Sequence, residues 1–72
     1  MGAVRILGLD PGLQNTGWGL IESDGFRLRF IADGVVGTNA GEELPARLLA
    51  LHKGLAGVIA EWTPDEAAVE HT

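Results

Sequence analysis

A chain of 72 residues with 46% apolar residues, no cysteine and a formal net charge of −5 is one folding unit at most, and at this size it buries only about 60% of the surface that its unfolded form exposes. The lack of cysteine excludes disulfides and thiolate metal sites as supports for so small a core. Five Lys and Arg against ten Asp and Glu speak against nucleic-acid binding by the segment as a whole, since phosphate contacts draw on basic side chains.

The first strand, Val4 to Asp10, is a near-continuous apolar run broken by Pro11-Gly12, the pattern of a central strand buried on both faces. It ends on a carboxylate. Where a buried strand reaches the surface, a carboxylate must be hydrogen-bonded, paired or metal-bound, because leaving it bare costs on the order of several kcal/mol. Asp is equally the residue type that opens an Asx turn, accepting N–H groups from Gly12 or Leu13. On spacing alone both readings of Asp10 stand. Thr16 to Ser23 forms the second strand, with Trp18 and Leu20 on one face and Gly17, Gly19 and Ile21 on the other. The two glycines let either a helix or a substrate phosphate come close, and packing is expected to account for at least one of them.

Asp24-Gly25 between apolar strands signals a tight type I′ hairpin, so the second and third strands are antiparallel. The third opens with alternation, Phe26, Leu28 and Phe30 against Arg27 and Arg29, and Asp33-Gly34 then interrupts the pattern as a bulge. Arg27 and Arg29 read as charges on the solvated face of an edge strand. After a loop from Gly37 to Gly41, Leu44, Leu48, Leu51, Leu55, Ile59 and Trp62 recur on one face of a helix. Pro45 suits its first turn, Glu42 and Glu43 stand at the positive end of its dipole, and Thr63-Pro64 stops it. Gly54 and Gly57 each cost about 1 kcal/mol relative to Ala inside a helix, so they are expected to mark close contact with the sheet. His52 reads as a surface residue. Glu66 to Glu70 forms a short last strand.

Topology follows from these elements. Strands one and two are antiparallel, as are two and three, and a strand-helix-strand crossover is normally parallel and right-handed. The fourth strand then runs parallel to the first, and docking beside it gives the order 3-2-1-4. That arrangement ends both strands at one edge of the sheet and makes Asp10 and Glu70 neighbours. Two adjacent carboxylates need a shared proton, an arginine or a divalent cation between them. An oxygen-rich site suits Mg²⁺, with Mn²⁺ as a substitute, and the chemistry that fits is two-metal phosphodiester hydrolysis. Glu66, four residues earlier, reads as surface charge, His71 as a terminal residue, and Thr16 as either a turn cap or a substrate contact.

The Ile/Leu-rich strand, Asp10-Pro11-Gly12-Leu13 and Gly17-Trp18-Gly19 resemble the RuvC family of Holliday-junction resolvases, within the RNase H-like nuclease superfamily. The resemblance continues through Leu44-Pro45-Ala46-Arg47-Leu48 and Thr63-Pro64-Asp65-Glu66-Ala67-Ala68-Val69-Glu70. It covers the whole chain but only about the first half of such an enzyme, so residues 1–72 are expected to be the N-terminal portion of a single RNase H-like α/β domain. The resemblance implies a Mg²⁺-dependent crossover junction endonuclease acting on four-way junction DNA, with Asp10 and Glu70 as the first two catalytic acids and metal ligands. It further implies that other acids come from a later helix, that the complete protein is a homodimer, and that it works with a branch-migration motor complex.

Two other classes remain. An actin-like or sugar-kinase phosphate-binding entry shares this sheet topology, but Pro11 removes an N–H from the turn and the loop lacks the usual Thr/Ser pair; the pre-ribosomal-RNA nuclease branch uses the same first carboxylate. A non-catalytic binding or dimerisation module on the same fold is the third reading. No apolar run approaches the ~18 residues of a membrane span. The N-terminus lacks the layout of a signal peptide, and Ile6 stands where a myristoylation signal wants Ser or Thr. A cytoplasmic protein is expected.

Overall fold

In the computed structural model, which describes residues 2–12 and 14–69, the chain forms three strands, a helix and a fourth strand. They are β1 (Val4–Pro11), β2 (Asn15–Ser23), β3 (Leu28–Gly37), α1 (Leu44–Trp62) and β4 (Glu66–Val69). The strands make one sheet in the order β3-β2-β1-β4. β1 is antiparallel to β2 and parallel to β4, and β2 is antiparallel to β3. This is the RNase H-like mixed sheet, and the hairpin and crossover rules lead to it directly.

Leu7 pairs with Leu20 across the β1–β2 ladder. Both are fully buried, and Val58 of α1 joins them to form the core, with Leu9, Trp18, Ile31, Val36 and Trp62 packed around it. The helix therefore covers the Leu7/Leu20 face. The opposite face, carrying Ile6, Gly8 and Asp10 on β1, has no helix over it among the described residues, so β1 is central in the sheet but is not buried on both faces. Gly17 and Gly19 lie on that open face, opposite Asp10 and Gly8, and do not serve the packing of α1.

The helical stripe is rotated from the one expected. Val58 is innermost and Leu51, Gly54, Leu55 and Trp62 are half-buried, while Leu44, Leu48 and Ile59 stay largely exposed. Apolar side chains fill more of the helix surface than one sheet face can cover, so the leucine repeat alone did not fix its rotation. Glu43 is the N-cap without a side-chain bond, and Pro45 lies in the first turn. The helix closes at Thr63, whose N–H donates to the Ile59 carbonyl at 2.8 Å. Thr63 holds φ 44, a left-handed conformation that a β-branched residue seldom adopts.

Of the two helix glycines only Gly54 meets the sheet: a Cβ there would lie 2.5 Å from Val36 Cγ1, whereas one on Gly57 would meet nothing within 4 Å. Gly57→Ala is accordingly expected to stabilise the fold by up to about 1 kcal/mol through helix propensity. Gly54→Ala should be net destabilising, because overpacking of about 1–3 kcal/mol outweighs that gain. Urea unfolding of the two variants side by side checks the contrast.

The β2–β3 connection is a four-residue loop, not a two-residue type I′ turn, since Ser23 pairs with Leu28. The Asp24 side chain builds it. Its Oδ1 accepts the N–H groups of Phe26 and Arg27, each at 2.8 Å, and Gly25 supplies the positive φ of 95°. Side-chain capping of this kind competes with the tight turn and here prevails. Arg27 therefore sits in the loop and β3 begins at Leu28.

The Phe26 and Arg27 N–H groups hold the Asp24 carboxyl below its ordinary value. A depressed folded-state value means that the loop's contribution is complete above the unfolded pKa of about 3.9 and is lost as the pH falls through the lower, folded one. In an acid titration followed by NMR, Asp24→Asn should show no such change over that range. β3 is an edge strand, as expected, but its irregularity is elsewhere: Leu20 pairs with Ala32 and Ile21 with Phe30, leaving Ile31 as the extra residue. Asp33 and Gly34 are regularly paired. Gly34 instead makes room for an indole, since a Cβ there would lie 2.8 Å from the Trp18 ring.

The far end of the sheet is tied by Arg5. Its backbone N–H donates to Asp65 Oδ2 at 2.8 Å, its Nη1 to the Trp62 carbonyl at 2.7 Å, and its Nε pairs with Glu22 Oε2 at 3.4 Å. Arg29 meets the other Glu22 oxygen at 3.4 Å. These two arginines are thus engaged in holding β1, β2, β3 and the end of α1 together.

Candidate active site

Asp10 stands next to last in β1, opposite Gly17, and is exposed on the open face. Among the described residues its carboxylate has no hydrogen-bond or ion-pair partner, and none is formed with the N–H of Gly12. Leu13, the other proposed Asx-turn donor, lies outside the described residues. The turn after Asp10 is nonetheless closely wound. A Cβ on Gly12 would fall 2.5 Å from the Asn15 carbonyl oxygen, so a side chain fits there only if the backbone moves.

A depression of about 640 Å³ opens on this face, lined in part by Gly8, Asp10, Gly17, Gly19, Phe30 and Asp33. The three glycines leave its floor bare between two carboxylates. Asp33 was not singled out from the sequence, yet the register places it opposite Gly19, one strand beyond Gly8. Only the pairing of β2 with β3 reveals that, because Asp33 and Asp10 are far apart in sequence. No Lys, Arg or His lines the depression among the described residues, so its field is negative and favours a cation.

Glu70, the other expected acid, lies outside the described residues, as does His71. The last described residue of β4, Val69, pairs with Leu9 immediately before Asp10. Glu66 is exposed and pairs with Ile6, away from Asp10. Thr16 is buried at 5% exposure, on the face opposite Asp10, so it belongs to the core side of the turn and not to the depression. No group of three or more His, Asp or Glu able to hold a metal occurs among the described residues. Asp10 itself is a hard oxygen donor, exposed and with no ion-pair partner among the described residues, and as such fits one ligand of a divalent ion.

A family profile described as crossover junction endodeoxyribonuclease RuvC matches residues 6–72. The chain belongs to the RuvC family. Crossover junction endodeoxyribonuclease RuvC of Methylocella silvestris is 61% identical over 70 residues, covering 97% of this chain and 40% of that protein. The RuvC protein of Paramagnetospirillum magneticum is 58% identical over 69 residues, covering 96% and 42%. The chain thus spans about two fifths of the length of these relatives.

Among solved structures, Thermus thermophilus RuvC in complex with a Holliday junction substrate superimposes with a TM-score of 0.79 at 25% identity, over 96% of this chain and 43% of that one. The Aquifex aeolicus PPX-GPPA enzyme gives 0.68 at 14% identity over 93% of this chain and 26% of that one, a likeness of fold alone. No helix among the described residues is long and apolar enough to cross a membrane.

Proposed function

We propose that the chain is the N-terminal portion of a metal-dependent endonuclease that resolves Holliday junctions by hydrolysing phosphodiester bonds. The observation that carries this reading is an exposed carboxylate, Asp10, without a partner among the described residues, at the end of the central strand of a RuvC-family sheet, beside a bare glycine floor. Asp10 and Glu70 would hold Mg²⁺, or Mn²⁺ in its place, with further acids supplied by a later helix as in the family. Such ions, when bound, activate water and stabilise the leaving oxygen. What this chain's own residues contribute is placement: β1 carries Asp10 to the sheet edge, and Gly8, Gly17 and Gly19 keep that surface low enough for another element or a DNA backbone to approach.

The complete protein would act as a homodimer on four-way junction DNA, together with a branch-migration motor, in the cytoplasm. Twofold symmetry supplies one active site for each strand to be cut. The acidic balance of the chain is compatible with this, because the basic DNA-binding surface would belong largely to the remainder of the protein.

The test is a chimera in which this chain replaces the matching 70 residues of the Methylocella silvestris relative. With Mg²⁺ it should cut a synthetic four-way junction symmetrically and leave linear duplex intact. A folded chimera that binds the junction but cuts neither substrate, or cuts both equally, would overturn the proposal.

A further inference from the structure

We infer that Asp65 is a positioning residue: by gripping the backbone of Arg5 near the start of β1, it sets the register in which β4 lies on that strand, and with it how closely Glu70 can approach Asp10. Its functional half rests on the proposed metal-binding roles of Asp10 and Glu70; its structural half stands on bonds present in the fold. The Arg5 N–H donates to Asp65 Oδ2 at 2.8 Å, and the Asp65 N–H donates to the Arg5 carbonyl at 2.9 Å. One residue thus engages both backbone groups of the β1 position just before the β1–β4 ladder opens at Ile6 and Glu66.

The ladder alone does not choose this register. Backbone bonds between parallel strands repeat evenly along the chain, and a register is selected by which side chains fit each face. β4 offers little for such a choice, since Glu66, Ala67, Ala68 and Val69 are all exposed. A slip of one residue would move the strand by about 3.3 Å and turn every side chain to the other face. With Pro64 opposite Arg5, the Arg5 carbonyl would lose its donor, because proline has no N–H, and the Arg5 N–H would lose its carboxylate. A slip the other way is opposed from the end of α1, where Arg5 Nη1 donates to the Trp62 carbonyl at 2.7 Å. Only Thr63 and Pro64 lie between these two anchors, the first held at φ 44 and the second with its φ fixed by its ring, so the connection has little slack. Val69 comes to rest against Leu9 as a result. Glu70 follows Val69 in sequence as Asp10 follows Leu9, so whatever holds β4 in place decides how near the two carboxylates can come.

Asp65→Asn and Asp65→Ala in the chimeric nuclease separate the acceptor from the charge, since asparagine keeps an oxygen that can accept the Arg5 N–H and alanine keeps none. In Asp65→Ala the amide of Arg5 and the protected amides of β4 should exchange about fivefold faster or more, while those of Trp18 and Leu20 in β2 keep the parent's rates. The Mg²⁺ concentration for half-maximal junction cleavage should rise about tenfold or more in Asp65→Ala and stay within about threefold of the parent in Asp65→Asn, with junction binding in Ca²⁺ little changed in both. Unchanged β4 amides in Asp65→Ala, or equal acceleration in β2, would overturn the inference. So would a Mg²⁺ requirement raised as much by asparagine as by alanine, because the charge of Asp65 and not its acceptor oxygen would then be what counts. If Asp65→Ala does not fold, Asp65→Glu, which keeps the charge and displaces the carboxylate by one methylene, carries the exchange comparison: acceleration confined to Arg5 and β4 supports the role and uniform acceleration refutes it. A parent chimera that does not cut would sink the nuclease reading, and the exchange rates alone would then decide the role of Asp65.

Discussion

Asp10→Asn in the chimeric nuclease is expected to lower junction cleavage on the order of a thousandfold or more, with junction affinity within a few-fold of the parent. Asparagine keeps the shape of the side chain and one of its acceptor oxygens but removes the charge that, on the proposed reading, would hold a divalent ion. Because Asp10 is exposed and makes no contact that supports the fold among the described residues, the substitution leaves the structure alone. Binding is read by gel shift in Ca²⁺ and cleavage by product formation in Mg²⁺. Parallel loss of both, in a protein that still melts cooperatively, would mean that Asp10 helps to grip DNA and is not reserved for chemistry.

Leu20→Ala is expected to have the largest effect on stability. Leu20 is 0% exposed and Leu7 1%, and the two with Val58, at 9%, make up the buried hydrophobic core of the described residues. Truncation of a leucine at such a site costs about 3–5 kcal/mol, while an entire small domain is stable by only about 5–15 kcal/mol. A chain with so few interior side chains stands at the low end of that range, so the variant should be unfolded at room temperature by circular dichroism. Leu49→Ala, at a position 53% exposed, is the control and should change stability by less than about 1 kcal/mol.

The parts of the fold that could be read from residues were those set by local chemistry. The apolar run ending at Asp10, the Pro45 start and the Thr63-Pro64 stop gave element boundaries within one or two residues, and chain-order rules then gave the sheet. What could not be read was decided between elements. Asp24 wraps its own loop in preference to a two-residue turn. The extra residue of β3 is Ile31, whose identity carries no bulge signal, while Asp33-Gly34, which does, serves an indole and the open depression instead. The rotation of α1 is chosen by where Gly54 lets it approach Val36. For the candidate site, Asp10 could be proposed from the sequence because a carboxylate ends an otherwise apolar strand, whereas Asp33 lines the same depression only through the pairing of three strands.

Arg5 also has a bearing on how quickly the chain can assemble. Its bonds to Asp65 and the Trp62 carbonyl join residues about 60 positions apart, and β4 reaches its place beside β1 only across that same separation. The β1-β2-β3 meander closes over short loops, but the central strand gains its second neighbour last. Loop-closure entropy is met before those distant contacts repay it. The rate-limiting event in folding is therefore expected to be the docking of β4, the strand that leads directly to Glu70, so that the edge beside Asp10 is the last part of the sheet to take shape.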